Sequence, residues 1–319
     1  MRVLVTGGAG FIGSTLVDRL LAEGHAVDAV DDLSTGSLGN LSDARAGRGE
    51  GTDFTFHRLD IQSEQVVDLI VRRKPEVVYH LAAQADVRVS VARPAFDAGV
   101  NIVGSLNVLE GARLGGARKV VFAASGGTLY GTVDPDDLPV VESHAQRPES
   151  PYGVAKKAVG DYLFAYRQLY DLEFSALALA NVYGPRQDPH GEAGVVAIFA
   201  GRTLSGESCT IFGDGEQTRD FVFVDDVVDA FVRAAERGGG LLVNIGTGVE
   251  TSVNDLYESI ARQAGVTRPA SYAPPRPGEL ARSALDPGRA AIHLGWKPWT
   301  TLDEGCASTI AWFRSRTAV

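Results

Sequence analysis

A chain of 319 residues, 45% hydrophobic and 22% charged, has the ordinary composition of a globular protein and suits one large domain or two closely packed ones. Its formal net charge of −10 disfavours nonspecific binding to nucleic acid or anionic lipid, whose phosphates an acidic surface repels. Cys209 and Cys306 lie in no CxxC or Cys/His cluster, which indicates neither a metal site nor a disulfide framework. No apolar run reaches membrane-spanning length, and Met1 leads directly into a predicted strand. We therefore expect no membrane partner and a cytoplasmic location.

In the first half of the chain, short β-branched runs alternate with segments whose apolar residues recur at helical spacing. The runs lie at 3–5, 26–30, 54–56, 77–79, 120–122 and 174–179. Helical spacing is seen between them at Leu16, Leu20, Leu21, Val66, Leu69 and Ile70. Strands that alternate with helices pair in parallel, and near-continuous apolarity is typical of strands covered on both faces. The pattern predicts an α/β fold with a doubly wound parallel sheet.

A glycine-rich motif, TGGAGFIG at 6–13, follows the first predicted strand and opens the first predicted helix. Gly7 permits a tight turn, Gly10 lets the backbone approach a pyrophosphate, and Gly13 lets the helix pack closely on the strand. The helix N-terminus then offers free N–H groups and a partial positive charge to that phosphate. A glycine triplet alone is weak evidence, but its position between strand and helix indicates a dinucleotide site.

The end of the second predicted strand carries an acid, Asp31, 18 residues after Gly13. A carboxylate there accepts hydrogen bonds from the adenosine ribose hydroxyls and repels a 2′-phosphate, which favours NAD over NADP. Asp60 and Ile61 end the third strand, where the adenine ring would lie. The fourth strand ends at His80, and the small alanines that follow it let a cofactor approach the backbone. His80 by itself is typical of a structural histidine.

Tyr152 and Lys156 are spaced by four residues in the segment YGVAK, so on a helix both side chains share one face. A tyrosine is a poor base at its usual pKa of about 10. A neighbouring ammonium and a nicotinamide cation both favour the phenolate and are expected to lower that pKa. Tyr152 is thus a candidate acid/base for converting an alcohol to a ketone. The alternative is an ordinary surface pair.

The remaining segments are less regular. Residues 34–52 are rich in Ser, Gly, Asn and charge, which predicts a surface loop. From about residue 181, Pro and Gly interrupt the chain, and a second break runs from Pro269 to Pro287. We interpret this later part as a smaller, mixed α/β region that binds the substrate.

Together these motifs resemble the extended short-chain dehydrogenase/reductase family, and within it the UDP-galactose 4-epimerase branch. The resemblance spans nearly the whole chain and is carried by TGGAGFIG at 6–13, Asp31, Asp60, Ile61, HLAAQADV at 80–87, Asn101, SGGTLYG at 125–131, YGVAK at 152–156, NVYGPRQ at 181–187, QTRDFVFVDD at 217–226, NIGTG at 244–248 and RPGEL at 276–280. It implies a Rossmann-type NAD-binding domain at 1–180 and a UDP-sugar-binding region at 181–319, with segments near 217–248 returning to the Rossmann domain.

The resemblance implies a mechanism and a set of NAD contacts. NAD takes a hydride from C4 of the sugar while Tyr152 removes the O4 proton, the 4-keto sugar turns over, and the hydride returns to its other face. Lys156 also holds the nicotinamide ribose, and Asn101 supports the cofactor near the nicotinamide. The implied cofactor-binding residues are Gly7, Gly10, Phe11, Ile12, Gly13, Asp31, Asp32, Asp60, Ile61, Leu81, Ala82, Ala83, Asn101, Tyr152 and Lys156.

The segment at 125–131 departs from the family pattern. A serine or threonine usually assists the tyrosine at the position that Gly126 occupies here. Ser125 and Thr128 flank it, and either hydroxyl is a candidate for the role. Nucleotide-sugar 4,6-dehydratases carry Asp-Glu just before the Val-Tyr-Gly of this segment, whereas this chain has Gly127, Thr128, Leu129 and Tyr130 and offers no carboxylate. The sequence therefore disfavours dehydration.

The later motifs resemble the part of the family that holds the UDP-sugar. Asn181 would meet the sugar nucleotide, Arg219 and Arg276 would neutralise its diphosphate, and Glu279 could accept a hydrogen bond from the ribose. The uracil lining is matched by Val195, Val196, Thr210, Ile211 and Phe212. Ser283 stands where the branch has a residue that sets pocket size, and its small side chain predicts additional activity on N-acetylated UDP-hexosamines.

Three alternatives stay open at this point. Arg186 could bind a sugar carboxylate, which would favour a UDP-glucuronate 4-epimerase or another nucleotide-sugar enzyme of the family. An NAD-sensing regulatory protein is the non-enzymatic alternative, although such proteins typically lose the Tyr/Lys pair that this chain keeps. Family members dimerise through two helices, here near 101–114 and 152–170, which predicts a homodimer. The alternative is that their apolar faces only cover the sheet.

Overall fold

The computed structural model describes residues 1–47, 53–189, 194–276 and 280–317. Its strands are β1 (Arg2–Thr6), β2 (Ala26–Asp31), β3 (Phe54–Arg58), β4 (Val77–His80), β5 (Lys119–Ser125), β6 (Glu173–Leu179), β7 (Asn181–Tyr183), β8 (Thr210–Phe212), β9 (Thr218–Arg219), β10 (Phe221–Phe223), β11 (Leu241–Ile245), β12 (Thr251–Ser252) and β13 (Ser271–Ala273).

The α-helices are α1 (Phe11–Ala22), α2 (Ser42–Ala46), α3 (Gln65–Arg73), α4 (Val87–Ala92), α5 (Pro94–Ala98), α6 (Ser105–Gly115), α7 (Gly126–Leu129), α8 (Pro151–Tyr170), α9 (Val195–Leu204), α10 (Val224–Ala234), α11 (Val253–Ala264), α12 (Gly288–His293) and α13 (Leu302–Thr317). Short 3₁₀ helices span Leu38–Leu41 and Pro135–Asp137, and a π-helix spans Gly99–Gly104. In the described part of the chain, none of these helices is long and apolar enough to cross a membrane.

Seven strands form one parallel sheet in the order β11-β6-β5-β4-β1-β2-β3. The order reverses direction between β1 and β4, which is the crevice where doubly wound sheets bind ligands. The six predicted strands are therefore confirmed, and so is the Rossmann-type fold class. The seventh, β11, comes from the later half of the chain.

Two layers of helices cover the sheet. Along β1 the side chains alternate: Val3 and Val5 pack into one hydrophobic core, while Leu4 packs into the other. The first core includes the apolar faces of α1 and α10, which pack against each other. The second includes those of α3, α6 and α8. This explains the near-continuous apolarity of the strands, since each needs hydrophobic side chains on both faces.

The later half adds α9, α11 and α13, which pack on one another, and three two-stranded sheets. Parallel pairs join β7 to β10 and β8 to β13, and an antiparallel pair joins β9 to β12. The loop predicted at 34–52 is wrong in part, and its residues 48–52 lie outside the described residues. Residues 38–46 are helical, because Ser37 caps this segment by accepting a hydrogen bond from the Gly39 N–H at 3.2 Å.

Candidate active site

The glycine loop after β1 is held in a conformation that only glycine tolerates. Gly7 has a φ of +68°, and a Cβ on it would lie 2.8 Å from the Ala82 nitrogen of the loop after β4. A Cβ on Gly13 would lie 2.0 Å from the Gly7 carbonyl oxygen. Helix α1 begins after Gly10, with no side chain bonded to its free N–H groups. The loop thus has the close approach and the open helix N-terminus that a pyrophosphate needs.

Asp31 closes the glycine loop from the neighbouring strand. Its side chain is 8% exposed and accepts hydrogen bonds from the Ala9 N–H at 3.0 Å and the Leu33 N–H at 2.8 Å. Burial raises the pKa of this carboxyl, and three backbone hydrogen bonds, from Leu33, Ala9 and Gly10, oppose the rise. Asp32 turns away and accepts from Ser34. Asp31, the residue predicted to bind the ribose, is therefore held beside the glycine loop by a hydrogen bond from the loop itself.

Asp60 and Ile61 lie just beyond β3, which ends at Arg58. The Asp60 carboxylate accepts from the backbone N–H of Gln62 at 2.8 Å. The Ile61 side chain is buried, and its carbonyl accepts from the Asn107 side chain at 3.0 Å. The strand therefore ends two residues before Asp60, where the sequence predicted its end, and the segment that follows it is bonded to α6.

His80 is a structural histidine in a directed chain of hydrogen bonds. The Ser105 hydroxyl donates to the Asn101 carbonyl at 2.6 Å, so it accepts from His80 Nε2 at 2.8 Å. Nδ1 of His80 then accepts from the Thr6 hydroxyl at 2.7 Å. Burial, together with the charge of Lys156, lowers the pKa of His80 to about 3, so the ring is neutral. The chain connects β1, β4 and the π-helix at the crevice.

Asn101, which lies in the π-helix, is used to hold the loop that follows β4. Its Oδ1 accepts from the Gln84 N–H and its Nδ2 donates to the Gln84 carbonyl, both at 2.9 Å. Nδ2 also donates to Asp97 Oδ1 at 2.9 Å. Leu81, Ala82 and Ala83 are part of this loop. These hydrogen bonds of the Asn101 amide are all to other residues of the chain, so the predicted role of Asn101 in supporting a cofactor would act through this loop.

Tyr152 and Lys156 share one face in the first turns of α8, as their spacing predicted. The helix begins with Ser150 as N-cap, whose hydroxyl accepts from the Gly153 N–H at 3.1 Å, and with Pro151 at its first position. Lys156 is 4% exposed, and its Nζ donates to the Ala123 carbonyl at 2.8 Å. The same ammonium lies 5.7 Å from the centre of the Tyr152 ring.

Of the two candidate hydroxyls, Ser125 is the one that reaches the phenol. Its side chain hydrogen-bonds with Tyr152, whereas the Thr128 hydroxyl donates to the Ser125 carbonyl at 3.5 Å. Ser125 is the last residue of β5, and its position at the carboxyl end of the strand places it against α8. The geometry therefore favours Ser125 over Thr128 for the role of the missing family hydroxyl.

The expected lowering of the Tyr152 pKa by Lys156 is wrong. Burial raises the pKa of Tyr152 to about 12, the charge of Asp97 adds to the rise, and the hydrogen bond with Ser125 opposes it. Burial also lowers the pKa of Lys156 to about 8, against the charge of Asp97. The reason is physical: removal from water disfavours the charged form of each group, the phenolate of Tyr152 and the ammonium of Lys156.

The later half of the chain brings two predicted substrate residues together. The Arg276 guanidinium lies 4.0 Å above the centre of the Phe212 ring. Phe212, Thr210 and Val195 are half-buried, whereas Ile211 and Val196 are 1% exposed and belong to the core. The contact is a cation–π pair at the end of β8.

The other predicted substrate residues are spread over short strands and loops of the later half. Asn181 is exposed, and its N–H donates to the Asp220 carbonyl at 2.9 Å. Arg219 is half-buried, with its Nη1 donating to the Thr218 carbonyl at 2.7 Å. Ser283 is half-buried. Glu279 lies outside the described residues.

Arg186 is committed elsewhere. Its Nη2 donates to Asp18 of α1 at 2.6 Å and lies 3.7 Å from Asp43. The guanidinium is thus turned toward two carboxylates near α1. The sequence argument that Arg186 is a ligand for a sugar carboxylate loses its main support, because this cation already has anionic partners.

Comparison with known proteins agrees with this architecture. The family model described as GDP-mannose 4,6 dehydratase matches residues 4–309. A UDP-glucose 4-epimerase of Mycolicibacterium smegmatis is 54% identical over 318 residues, which are 99% of each chain. The chain belongs to the extended short-chain dehydrogenase/reductase family.

Solved structures of this family are similar over the whole length. The UDP-glucose 4-epimerase of Thermotoga maritima, in a structure with UDP-glucose, is 44% identical with a TM-score of 0.94, covering 99% of this chain and 100% of that one. The UDP-glucose 4-epimerase of Thermus thermophilus, in complex with NAD, is 42% identical with a TM-score of 0.89, covering 98% and 99%.

Gly126, the departure from the short-chain dehydrogenase/reductase pattern, has a packing reason. A Cβ on Gly126 would lie 2.3 Å from the Leu285 Cδ1 and 3.1 Å from the Leu179 carbonyl oxygen. Leu285 is 2% exposed and belongs to the second core. Its side chain fills the space in which the family's usual serine or threonine would begin. The hydroxyl that contacts Tyr152 therefore comes from the preceding residue.

Two acids of the site were missed by the sequence reasoning. Asp97 lies beside Asn101 and Lys156, and its spacing of four residues from Asn101 could have indicated a shared helix face. Asp220 is 1% exposed and accepts from the N–H groups of Thr247, Gly248 and Leu285. Its partners are 27 to 65 residues away in the chain, so no local pattern reveals them.

Proposed function

We propose that the chain is an NAD-dependent isomerase that interconverts UDP-galactose and UDP-glucose by inverting C4 through a 4-keto sugar. One observation carries the proposal: the half-buried Tyr152 lies between the Ser125 hydroxyl and the Lys156 ammonium at the carboxyl end of the sheet. This is an acid/base group beside a nucleotide-binding loop. The full-length similarity to UDP-glucose 4-epimerases supports this choice of substrate.

The residues around the glycine loop fit an NAD molecule. The open N-terminus of α1 would hold its pyrophosphate, and the glycines leave the space that a Cβ would fill. Asp31 would accept from the adenosine ribose hydroxyls, and its charge disfavours a 2′-phosphate. Phe11 and Ile12 follow the glycine turn, and Asp60 with Ile61 lies where the adenine would bind. These are the contacts inferred from the sequence.

Each catalytic side chain has a separate task. When bound, NAD⁺ supplies the hydride acceptor and donor for C4 and a positive charge that favours a phenolate. Tyr152 takes the proton from the O4 hydroxyl and later returns it. Ser125 hydrogen-bonds to the phenol and lowers its pKa, opposing the effect of burial. Lys156, held by the Ala123 carbonyl, keeps a cation beside the phenol and can donate to the nicotinamide ribose.

Dehydration, the reaction named in the family model, is not favoured. Elimination of water from the sugar needs an acid near the sugar, and the segment before Tyr130 offers Gly127 and Thr128 at the positions of the dehydratase acids. Gly127 has no side chain, and the Thr128 hydroxyl is turned to the Ser125 carbonyl. Tyr130 itself is buried, and its hydroxyl donates to Asn244.

The UDP part of the substrate is assigned to the later half of the chain. Arg276 and Arg219 would neutralise the diphosphate, since two guanidinium groups are the best protein partners of phosphate oxygens. Phe212, stacked against Arg276, would face the uracil. Ser283 would border the sugar, and its small side chain leaves room for an N-acetyl group. We therefore propose UDP-N-acetylhexosamines as second substrates.

The test is a comparison of product sugars. The purified protein with NAD is incubated with UDP-galactose, UDP-N-acetylgalactosamine or UDP-glucuronate, and the nucleotide sugars are separated. We expect UDP-glucose from the first, UDP-N-acetylglucosamine from the second, and no turnover of the third. If only UDP-glucuronate gave a product, the proposed substrate would be wrong. If none of the three gave a product, the proposed epimerase activity would be wrong.

A second test addresses the acid/base role. Tyr152→Phe removes only the phenol oxygen, so kcat should fall by about 10²–10⁴-fold while NAD is still bound. Phe96→Tyr, a change of the same two residue types in the opposite sense on the surface of α5, is the control and should leave kcat unchanged. Full activity of Tyr152→Phe would contradict the role of Tyr152 and would reopen the non-enzymatic alternative, an NAD-sensing protein.

We also propose that two copies associate as a homodimer through α6 and α8. Both helices carry large apolar side chains that are more than half exposed, namely Leu114 on α6 and Val154, Phe164 and Leu169 on α8. An apolar patch of this kind is typical of an interface. Phe164→Glu should shift the sedimentation coefficient to that of a monomer, whereas Ile292→Glu on α12 should not. A monomeric wild-type protein would contradict the proposal.

The two parts of the chain have different proposed ligands. We propose that residues 1–180 bind NAD and residues 181–319 bind the UDP-sugar, with segments near 217–248 returning to the NAD-binding domain. The packing of α10 on α1 and the pairing of β11 with β6 support this return. The cytoplasmic location expected from the sequence remains part of the proposal.

A further inference from the structure

Asp97 of α5 is a buried acid whose bonding is incomplete. Its side chain is 1% exposed, and Oδ1 accepts from Gln84 Nε2 and Asn101 Nδ2, both at 2.9 Å. Oδ2 is buried and has no hydrogen-bond partner. A buried polar atom without a partner costs about 1–3 kcal/mol, and more when it is charged. A residue with only a packing role would not need a carboxylate here.

The position of Asp97 connects it to the proposed reaction. Helix α5 packs against α8, which carries Tyr152 and Lys156. The charge of Lys156 lowers the pKa of Asp97, although burial has the larger, opposite effect. In return the charge of Asp97 raises the pKa of Lys156, again against burial. Asp97 and Lys156 therefore act on each other inside the site.

We propose that Asp97 is a positioning residue for the epimerisation: one oxygen fixes Asn101 and Gln84, and its negative charge keeps the Lys156 ammonium charged. The inference rests on the proposed function, because Lys156 belongs to the proposed catalytic site. Fixing Asn101 matters because this residue holds the loop after β4 through both backbone groups of Gln84.

Charged groups near Asp97 come from several elements, and Arg93, the N-cap of α5, has its guanidinium 4.3 Å from the centre of the Phe96 ring. From α8 it faces Lys156 and Tyr152. Glu149, just before α8, lines the same surface groove of about 490 Å³ as Asp97. At the start of α4, Asp86 and Arg88 form an ion pair at 3.2 Å.

The proposal predicts two changes in the same direction. Besides raising the pKa of Lys156, the charge of Asp97 raises the pKa of Tyr152. Asp97→Asn removes the charge but keeps an oxygen that accepts from Gln84 and Asn101. Both pKa values should therefore fall, and both limbs of the pH profile of kcat should move to lower pH. A loss of packing alone would lower kcat without moving the profile.

The decisive measurement is the titration of Lys156 itself. The chain has five lysines, so ¹³Cε-lysine NMR of the NAD-loaded protein can be assigned with Lys156→Arg. In Asp97→Asn we expect the Lys156 pKa to fall by about one unit, with the other four lysines unchanged. Asp97→Glu, which keeps the charge, should restore the wild-type titration and also serves if Asp97→Asn does not fold.

The two proposals fail in different ways. An unshifted Lys156 titration in Asp97→Asn, or a shift in Asp97→Glu as large as that in a charge-free variant, would overturn the role of Asp97. The titration does not depend on turnover, so a wild-type protein without epimerase activity would overturn the proposed function and leave the Asp97–Lys156 coupling standing.

Discussion

The two ends of the parallel sheet treat buried charge in opposite ways. At the amino end, Asp28 is fully buried and accepts from His57 at 2.8 Å, from Arg73 at 2.8 Å and from Arg2 at 3.3 Å. Burial alone raises its pKa, but the bonds from His57 and Arg73 outweigh burial, so the net pKa is lowered. This carboxylate is completely paired within the protein.

At the carboxyl end, the buried acids are less completely paired. Asp31 has backbone N–H partners, and Asp97 has two amide partners and one free oxygen. Burial raises the pKa of both, because neutral donors and one distant cation do not offset it. The contrast teaches that the hydrogen-bonding capacity of a buried acid is fully satisfied within the protein where the sheet needs only stability. It is kept where a bound molecule is expected to complete it.

The largest expected effect on stability comes from a substitution at the amino end of the sheet. Asp28→Ala leaves Arg73 and His57 without their buried acceptor, so the free energy of unfolding should fall by about 3–5 kcal/mol. Folded protein should keep its kcat, because the residue lies at the far end of the sheet from Tyr152. Urea unfolding and a turnover assay measure the two quantities. A stable variant would show that the cluster is not what holds this end together.

The control uses a second partner of Arg2. Asp53 forms an ion pair with Arg2 at 2.7 Å, but its side chain is 53% exposed. Asp53→Ala should therefore cost less than about 1 kcal/mol. The contribution of Asp28 to the free energy of unfolding depends on pH, because its pKa is lowered in the folded chain. The contribution is present above the usual pKa range of Asp and is lost as pH falls through that range and below it.

The next effect concerns the carboxyl end. In Gly13→Ala the new methyl group would lie 2.0 Å from the Gly7 carbonyl oxygen, and neither backbone segment can yield easily. We expect the free energy of unfolding to fall by about 2 kcal/mol and the affinity for NAD to fall at least about tenfold. Calorimetric titration with NAD measures the second. Wild-type affinity would contradict the proposed role of the loop.

A helical glycine elsewhere provides the matched control. Gly201 lies in α9, and a Cβ on it would meet only the Pro189 side chain at 3.7 Å, an ordinary contact. Gly201→Ala should raise the melting temperature slightly, because alanine is favoured in a helix by about 0.5–1 kcal/mol. NAD affinity should be unchanged. The opposite signs of the two substitutions would separate crowding at the site from helix propensity.

The same contrast explains what the sequence could predict. The strands, the glycine loop and the Tyr152–Lys156 pair depend on residues close together in the chain, so their spacing is visible. The free oxygen of Asp97 and the contact of Arg276 with Phe212 depend on how distant elements pack. The Tyr152 pKa was mispredicted for the same reason. Charge pairs can be read from sequence, but the burial that outweighs them cannot.

The smallest expected effect compares the two buried lysines. Lys119, at the amino end, is 3% exposed and donates to the Arg237 carbonyl at 2.6 Å. Burial lowers its pKa to about 8, the value found for Lys156 at the carboxyl end. The two lysines thus share a pKa but not an environment. Only Lys156 lies beside a proposed acid/base group.

Lys119→Met should remove the cost of burying a charge without removing activity. Between pH 8 and 10.5 the unfolded chain keeps the Lys119 proton that the folded chain loses, so wild-type stability gains from this residue as pH rises. The variant should lack that gain and should be more stable at pH 7 by about 1–2 kcal/mol. The Ser175 hydroxyl has one proton and lies 2.7 Å from the Gly238 carbonyl and 3.1 Å from the Arg237 carbonyl, so loss of the Lys119 donor offsets part of this gain. Lys156→Met should lose turnover and should gain less stability than Lys119→Met, because it also removes the cation that lowers the pKa of buried Asp97 and the donor to the Ala123 carbonyl. Urea unfolding at pH 7.5 and 9.5 with a parallel activity assay separates them, and equal loss of activity in both would erase the distinction between the two ends of the sheet.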